Sequence, residues 1–296
     1  LMSNKKKIIL ISNFYNFFNV FMLCHIKYLS NKYDLCICCK NAHLLKKKVP
    51  KSVLLKDVNF KRGISFFYDI IAIFSLLLVF MLQRPNLSIS FTPKVGLMVA
   101  IVSLITNTQK RFHWFTGQIW ANSKGLKRIF FKLTDRLIFY SSHIVLVDGI
   151  SQRRFLIKEK VISKNESTVL HMGSVGGVDI KRFKLNYKKR AKLRNKLSIN
   201  KKTFVFMYLG RINRDKGVVD LINAFKKIQN NQNILLIFVG PLEDKNLKFI
   251  TINQKNILYF DYSDKPENWF SLADILCLPS YREGFGSVII EAASCS

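Results

Sequence analysis

Apolar runs of strand length alternate with longer helical stretches along the whole chain, and few architectures accept that alternation. Runs at 7–12, 34–39, 52–55, 87–90, 111–115, 144–147 and 168–171 read as strands. Helical stretches near 18–31, 64–82, 94–105, 125–141 and 151–158 fill the gaps. Parallel strands need crossover helices and are buried on both faces, so they read as continuous apolar runs rather than alternating ones. The pattern therefore predicts an α/β fold built on parallel sheets. A second α/β series follows, with strands at 203–210, 234–240, 257–260 and 274–280 and a helix from about Gly217 to Gln229. The charged stretch 179–202, poor in large apolar residues, separates the two series. With 296 residues and 49% hydrophobic content there is material for two cores. The expected division is an N-terminal domain over 1–180, a basic linker over 181–202 and a C-terminal domain over 203–296.

Charge narrows the function. The chain has 48 Lys and Arg against 18 Asp and Glu, a formal +30. Residues 1–202 hold 38 basic and 8 acidic side chains, and residues 203–296 hold 10 of each. A lysine-rich codon bias loads both parts alike, so the asymmetry points to an anionic partner for the basic part: a membrane surface, a phosphorylated ligand or nucleic acid. The six cysteines show no paired Cys-x-x-Cys or downstream His-x-x-x-His spacing, and DLCICC at 34–39 reads as a buried strand of small thiols rather than a zinc site. The start, LMSNKKKIILIS, runs from a basic cluster straight into a strand without an export-signal cleavage site. Residues 64–82 approach the length and apolarity of a membrane span. Spanning would put strands of one sheet on opposite sides of a bilayer, so the expectation is a buried or membrane-grazing helix.

Two stretches carry chemistry. In LGRINRDKG, 209–217, Gly210 lets the chain turn at the end of a strand, while Arg211 and Lys216 flank the start of a helix, where amides and helix dipole favour an anion. Ordinary surface cations are the competing reading. In YREGFGSVIIEAASCS, 281–296, a helix beginning near Gly286 opens the amides of Phe285, Gly286 and Ser287 toward phosphate. Glu291 then lies about 7 Å along the axis, the reach from a diphosphate to the ribose of the same nucleotide, whose hydroxyls a carboxylate can accept. Glu283, before the helix, lies where a transferred sugar would sit. The spacing fits a nucleotide-diphosphate sugar laid across a helix start, against an amphipathic helix with one incidental glutamate as the plain alternative.

REGFGSVIIEAASC resembles the signature of glycosyltransferase family 4, and LGRINRDKG resembles that family's Gly-Arg…Lys-Gly donor loop. HMGSVGGVDIKRF, 171–183, is similar to the segment closing its N-terminal domain. RPNLSISFTPKVGLMVAI, 84–101, and RFHWFTGQIWA, 111–121, resemble N-domain elements of members that build bacterial polysaccharides and lipid-linked oligosaccharides. The resemblance implies a GT-B fold, two Rossmann-like domains facing a cleft. It also implies transfer of a hexosyl group, with retention, from a nucleotide sugar to a hydroxyl, at the cytoplasmic face of a membrane. It would give Arg211 and Lys216 the departing diphosphate, Glu283 the donor sugar and Glu291 the ribose. Gly210, Gly284, Phe285, Gly286 and Ser287 would complete the donor site.

No Asp-x-Asp and no Gly-x-Gly-x-x-Gly occurs, in keeping with a reaction that needs neither metal nor nicotinamide cofactor. Where many relatives carry a cleft histidine this chain has Thr116, next to Gly117. His113 is thus a candidate acceptor contact, with a packed, hydrogen-bonded histidine as the rival reading. The aromatics of SNFYNFFN, 12–19, meet either an acceptor or the core. Only four strands follow the junction where a Rossmann-like half wants about six. The second domain is therefore expected to be incomplete and the chain truncated at its C-terminus. Besides a transferase on a lipid-linked acceptor, the same features admit a non-catalytic remnant. The charge alone admits a nucleic-acid binder, although no nucleic-acid motif is present.

Overall fold

The computed structural model describes residues 5–61, 63–228, 230, 233–251 and 256–295. Two compact units are present, Leu1–Gly176 and Gly177–Ser296. Both are parallel α/β layers, as expected.

The first unit holds β1 (Lys7–Phe14), α1 (Tyr15–Phe17), a π turn (Phe18–Met22), α2 (Leu23–Lys32), β2 (Asp34–Lys40) and β3 (Leu54–Asp57). It continues through α3 (Phe66–Gln83), β4 (Leu87–Ser90), α4 (Pro93–Ile105), β5 (Lys110–Phe115), α5 (Gly125–Ser141), β6 (Ile144–Val147), α6 (Ile150–Lys158) and β7 (Ser167–Thr168). The strands form one parallel sheet in the order β3-β2-β1-β4-β5-β6-β7. The period-two alternation of strand side chains splits the core. Ile8, Leu10, Leu35 and Ile37 pack on one face with Ile26 of α2, and Ile9, Ile11, Cys36 and Cys38 pack on the other with α3 and α4. DLCICC is thus the buried strand expected, and burial pushes the Cys39 thiol up to about 12. The aromatics after β1 settle into the core: Phe18 is fully buried, edge-on to Phe17 and Phe91 at 5.6 and 6.1 Å. Of the two readings of SNFYNFFN, core packing is the one seen.

The apolar helix α3 lies on the sheet. Ala72, Leu76, Val79 and Phe80 are buried against it, and Asp69, the one acid in the helix, pairs with Lys94 of α4 at 2.5 Å. Its neighbours in sequence, β3 and β4, are strands of the same sheet, so α3 does not cross a bilayer while this fold is intact.

The second unit contains α7 (Tyr187–Lys196), β8 (Phe204–Leu209), α8 (Val218–Ile228), β9 (Ile234–Val239), β10 (Ile257–Phe260), α9 (Pro266–Leu272), β11 (Ile275–Leu276) and α10 (Ser287–Ala293). Among the described residues its sheet is four-stranded and parallel, in the order β10-β9-β8-β11.

The structure corrects the linker expected over 181–202. Asn186 caps α7, its side chain accepting from the Lys189 amide at 2.9 Å. The helix then docks on the C-terminal end of α9. Arg190 donates to the carbonyls of Ser271, Leu272 and Ala273 at 3.0, 2.7 and 2.8 Å and pairs with Asp274 at 2.6 Å. Arg194, 6% exposed, donates to the Thr203 carbonyl. The stretch belongs to the second unit because its arginines satisfy carbonyls that a helix end leaves open. The boundary accordingly falls at Gly176/Gly177 rather than after residue 180.

Candidate functional site

In open α/β sheets, ligands bind outside the carboxyl ends of the strands. At that edge of the second unit β8 runs into Gly210, β9 into Gly240 and β11 toward Pro279. A Cβ on Gly240, at φ +142°, would overlap the carbonyl oxygen of Gly210, so the two turns approach as only a glycine permits. Tyr208, fully buried beneath them, donates its hydroxyl to the Arg211 carbonyl at 2.7 Å. Burial, reinforced by the Glu283 charge, raises its pKa, so it remains a donor.

The loop after β8 carries the expected cations. A single 3-10 turn (Arg214–Lys216) ends at Gly217, φ +67°, and α8 starts at Val218. Arg211 and Lys216 therefore do flank a helix start. A Cβ on Gly217 would overlap the carbonyl oxygen of Pro279, which brings the β11 loop against this one. The Tyr281 amide donates to the Asp215 carbonyl at 3.0 Å, and the Tyr281 hydroxyl bonds Asp220. Across this seam the Lys216 ammonium meets the Glu283 carboxylate at 2.5 Å, both side chains mostly buried at 16% and 28% exposed. Two residues singled out 67 positions apart thus form one ion pair.

The other donor-side residues are arranged around that pair. Arg211 points to Glu243 at 3.0 Å, and the same carboxylate oxygen accepts from Asn213 at 3.0 Å. Gly284 and Phe285 lead to Gly286, which is buried at φ +75° and from which α10 starts at Ser287. Its Cα lies beside Glu283, such that a Cβ there would come within 3.7 Å of the Glu283 Cγ. Glu291, one turn into α10, is not bonded to Lys216 or Arg211. Burial pushes its carboxyl up to about 7, opposed by Arg182 and reinforced by Glu267.

The sequence reading passes over Arg282, Glu243 and Gly240. Burial lowers the Arg282 pKa, with Asp215 and Glu283 opposing and Arg211 adding, so a third cation shares this field. Its signal is adjacency to Glu283, and that of Gly240 and Glu243 is their place just after a strand, in VGPLE. Arg211 paired with Glu243, Lys216 paired with Glu283 and the nearby Arg282 gather positive charge around glycine turns, where a diphosphate could replace a carboxylate as partner.

In the first unit, Thr116 and Gly117 follow β5 at its carboxyl end. His113 does not join them. It is 1% exposed, its Nδ1 lies 2.8 Å from the Ser90 hydroxyl, and Gly96 of α4 sits so close that a Cβ there would overlap the ring. Burial drives its pKa down to about 3. The imidazole is a neutral packing group, which corrects its candidacy as an acceptor contact. Asp148, just past β6, is a buried carboxyl that the sequence reading missed. Burial raises it to about 6, with the Val175 amide opposing.

The family model for group 1 glycosyl transferases matches residues 189–296. The capsular polysaccharide biosynthesis glycosyltransferase CapM of Staphylococcus aureus is 31% identical over 239 residues. That alignment covers 78% of this chain and 62% of CapM, so the chain spans about three-fifths of that relative's length. Among solved structures, Anabaena HepE in complex with UDP and glucose superposes with a TM-score of 0.77 at 15% identity, over 98% of this chain and 78% of that one. WaaG, a glycosyltransferase involved in lipopolysaccharide biosynthesis, gives 0.73 at 15% identity, over 97% and 78%. At such identities the structural likeness speaks to the fold alone, and that fold is GT-B, as expected from the sequence.

Proposed function

We propose that the chain, which matches the group 1 glycosyl transferase model over 189–296, is a retaining hexosyltransferase of family 4 type. It would use a nucleotide-diphosphate sugar and a hydroxyl of a lipid-linked glycan, in cell-surface polysaccharide biosynthesis at the cytoplasmic face of a membrane. The observation that carries this reading is the Lys216–Glu283 pair at 2.5 Å, seated at the carboxyl edge of the sheet. Glycosyl transfer from such a donor develops charge on the departing diphosphate, and preorganised cations in a partly dry site are well suited to stabilise it. Lys216 and Arg211 take that role, with Arg282 adding to the field. Glu283, released from Lys216 as the diphosphate enters, contacts the sugar, and Glu291 accepts from the ribose hydroxyls. HepE's complex with UDP and glucose, on the same fold, supports a uridine nucleotide among the donors to test. The CapM likeness supports a glycan acceptor.

Lys216, Arg211 and Arg282 supply positive charge where a divalent ion would otherwise serve. The transfer is accordingly expected to proceed unchanged in EDTA, and loss of activity restored by Mg²⁺ or Mn²⁺ would refute the metal-free reading. The principal test is calorimetric titration with UDP, GDP and ADP. One of them should bind, Lys216→Ala should weaken that binding by at least about tenfold, and an oligonucleotide should not displace it. Equal binding by the wild type and Lys216→Ala would remove the pair from the donor site.

A further inference from the structure

α3, α4 and α5 pack side by side on one face of the first unit's sheet. Their outward surfaces are apolar, an arrangement that a monomer in water does not normally present. On α3, Phe67, Phe74, Leu78 and Leu82 project away from the buried Ala72, Leu76 and Phe80 at helical spacing. On α5, Leu126, Phe130, Leu133 and Leu137 form a second stripe, and on α4, between them, Ile101, Leu104 and Ile105 are exposed as well. The eight side chains of the two stripes are between 49% and 85% exposed. Helices that connect parallel strands run antiparallel to them, so the N-terminal ends of all three lie at the sheet's carboxyl edge. Lys61, Lys124 and Lys127 sit at those ends.

We propose that the outward face of α3, α4 and α5 is a monotopic docking surface for an anionic lipid bilayer, lying in the interface plane without crossing it. Three observations choose this occupant. The first unit carries 27 Lys and Arg against 7 Asp and Glu, so a second copy of the same face would meet strong like-charge repulsion, whereas anionic headgroups would be attracted. Apolar stripes bordered by lysines suit an interface in which side chains enter the acyl boundary and cations meet phosphates. α3, at 18 residues about 27 Å long, is held flat by β3 and β4 of one sheet, which leaves in-plane seating as the way for it to meet lipid. In this pose the loops after β4 and β5, with Thr116 and Gly117, face the headgroup layer. Only that last correspondence, with a lipid-linked acceptor, rests on the transferase reading.

The test is co-sedimentation of the chain with vesicles of phosphatidylcholine alone and of phosphatidylcholine mixed with phosphatidylglycerol. Wild type should bind the mixed vesicles. The fourfold variant Phe74→Ser, Leu78→Ser, Leu133→Ser, Leu137→Ser, which alters exposed positions only, should lose binding by at least about a hundredfold. Lys124→Glu with Lys127→Glu should weaken binding to mixed vesicles while leaving any binding to neutral ones unchanged. UDP titration and thermal melting of each variant report on the fold and on the second unit. Undiminished vesicle binding by the serine variant overturns the proposal. So does a wild-type dimer in light scattering that ignores vesicles and that the serine substitutions dissolve, since the face then belongs to a second copy. If neither form binds any nucleotide but the vesicle results hold, the transferase reading fails and the docking surface stands.

Discussion

Lys216 and Glu283 show how one pair can serve both fold and chemistry. In the absence of ligand, Glu283 holds the ammonium at 2.5 Å and ties the β11 loop to the β8 loop. Both side chains keep some contact with water, so the pair adds less than about 1 kcal/mol to stability. Lys216→Ala should therefore leave the melting temperature within a few degrees of wild type while kcat/KM falls by about 10²- to 10³-fold. A large drop in melting temperature with unchanged kcat/KM would make the pair structural. Glu291 makes a prediction in pH. Its carboxyl is raised to about 7 by burial, above its ordinary value of 4.5, so the folded protein holds this proton more tightly than the unfolded chain does. Stability is lost as pH rises from about 4.5 through about 7, and Glu291→Gln should be more stable than wild type at pH 8 by about 1–2 kcal/mol and no more stable at pH 4. A carboxylate accepting two ribose hydroxyls must first ionise, so nucleotide affinity should rise about tenfold from pH 6 to pH 8 and be flat in Glu291→Gln. Calorimetry at the two pH values checks both. The cation and the two glutamates were readable because their spacing carries the chemistry. Arg282 and Glu243 were not, because their roles come from neighbours in space.

At the scale of elements, most of the fold was open to a reader of hydrophobic runs. β1, β2, β4, β6 and β10 lie within a residue or two of their expected limits, since the apolar runs of parallel strands stand out against the more polar segments around them. β7 and β11 are two residues each, against longer runs expected, because a ladder ends where its partner does, a long-range property. The π turn at Phe18–Met22 has no signature in composition. α7 is the instructive failure. A stretch with Arg190 and Arg194 among lysines looks like linker, yet their guanidinium groups find the α9 carbonyls about 80 positions on. That partnership sets a magnitude. Removing Arg190 takes the side-chain donor from the Ser271 and Ala273 carbonyls and leaves Leu272 and Asp274 to Arg194 and the Val205 amide, so Arg190→Ala should cost about 2–3 kcal/mol in urea unfolding. Lys201→Ala, at an exposed position of the same stretch, should cost under about 0.5 kcal/mol. Equal, small losses would restore the linker.

Across the whole molecule the charge is distributed differently from the way a linear reading divides it. With 181–202 folded into the second unit, that unit has its own basic block around α7, and the first unit keeps 27 cations against 7 acids. Among the described residues of the first unit, Lys94 pairs with Asp69, and Arg128 and Lys132 pair with Glu159. A field of this size, spread over a surface beside an apolar face, implies two separable components in membrane binding. The electrostatic one acts through a screening length that shrinks from about 10 Å at 0.1 M salt to about 3 Å at 1 M. The apolar one is insensitive to modest salt. Wild-type affinity for phosphatidylglycerol-containing vesicles should thus fall at least about tenfold over that range and then level off above zero. The serine variant of α3 and α5 should fall to background, having lost the component that salt cannot screen. Binding by wild type that ignores salt would show that the +30 charge plays no part in docking, and the search for its anionic partner would then turn to the nucleotide and the phosphates of the acceptor.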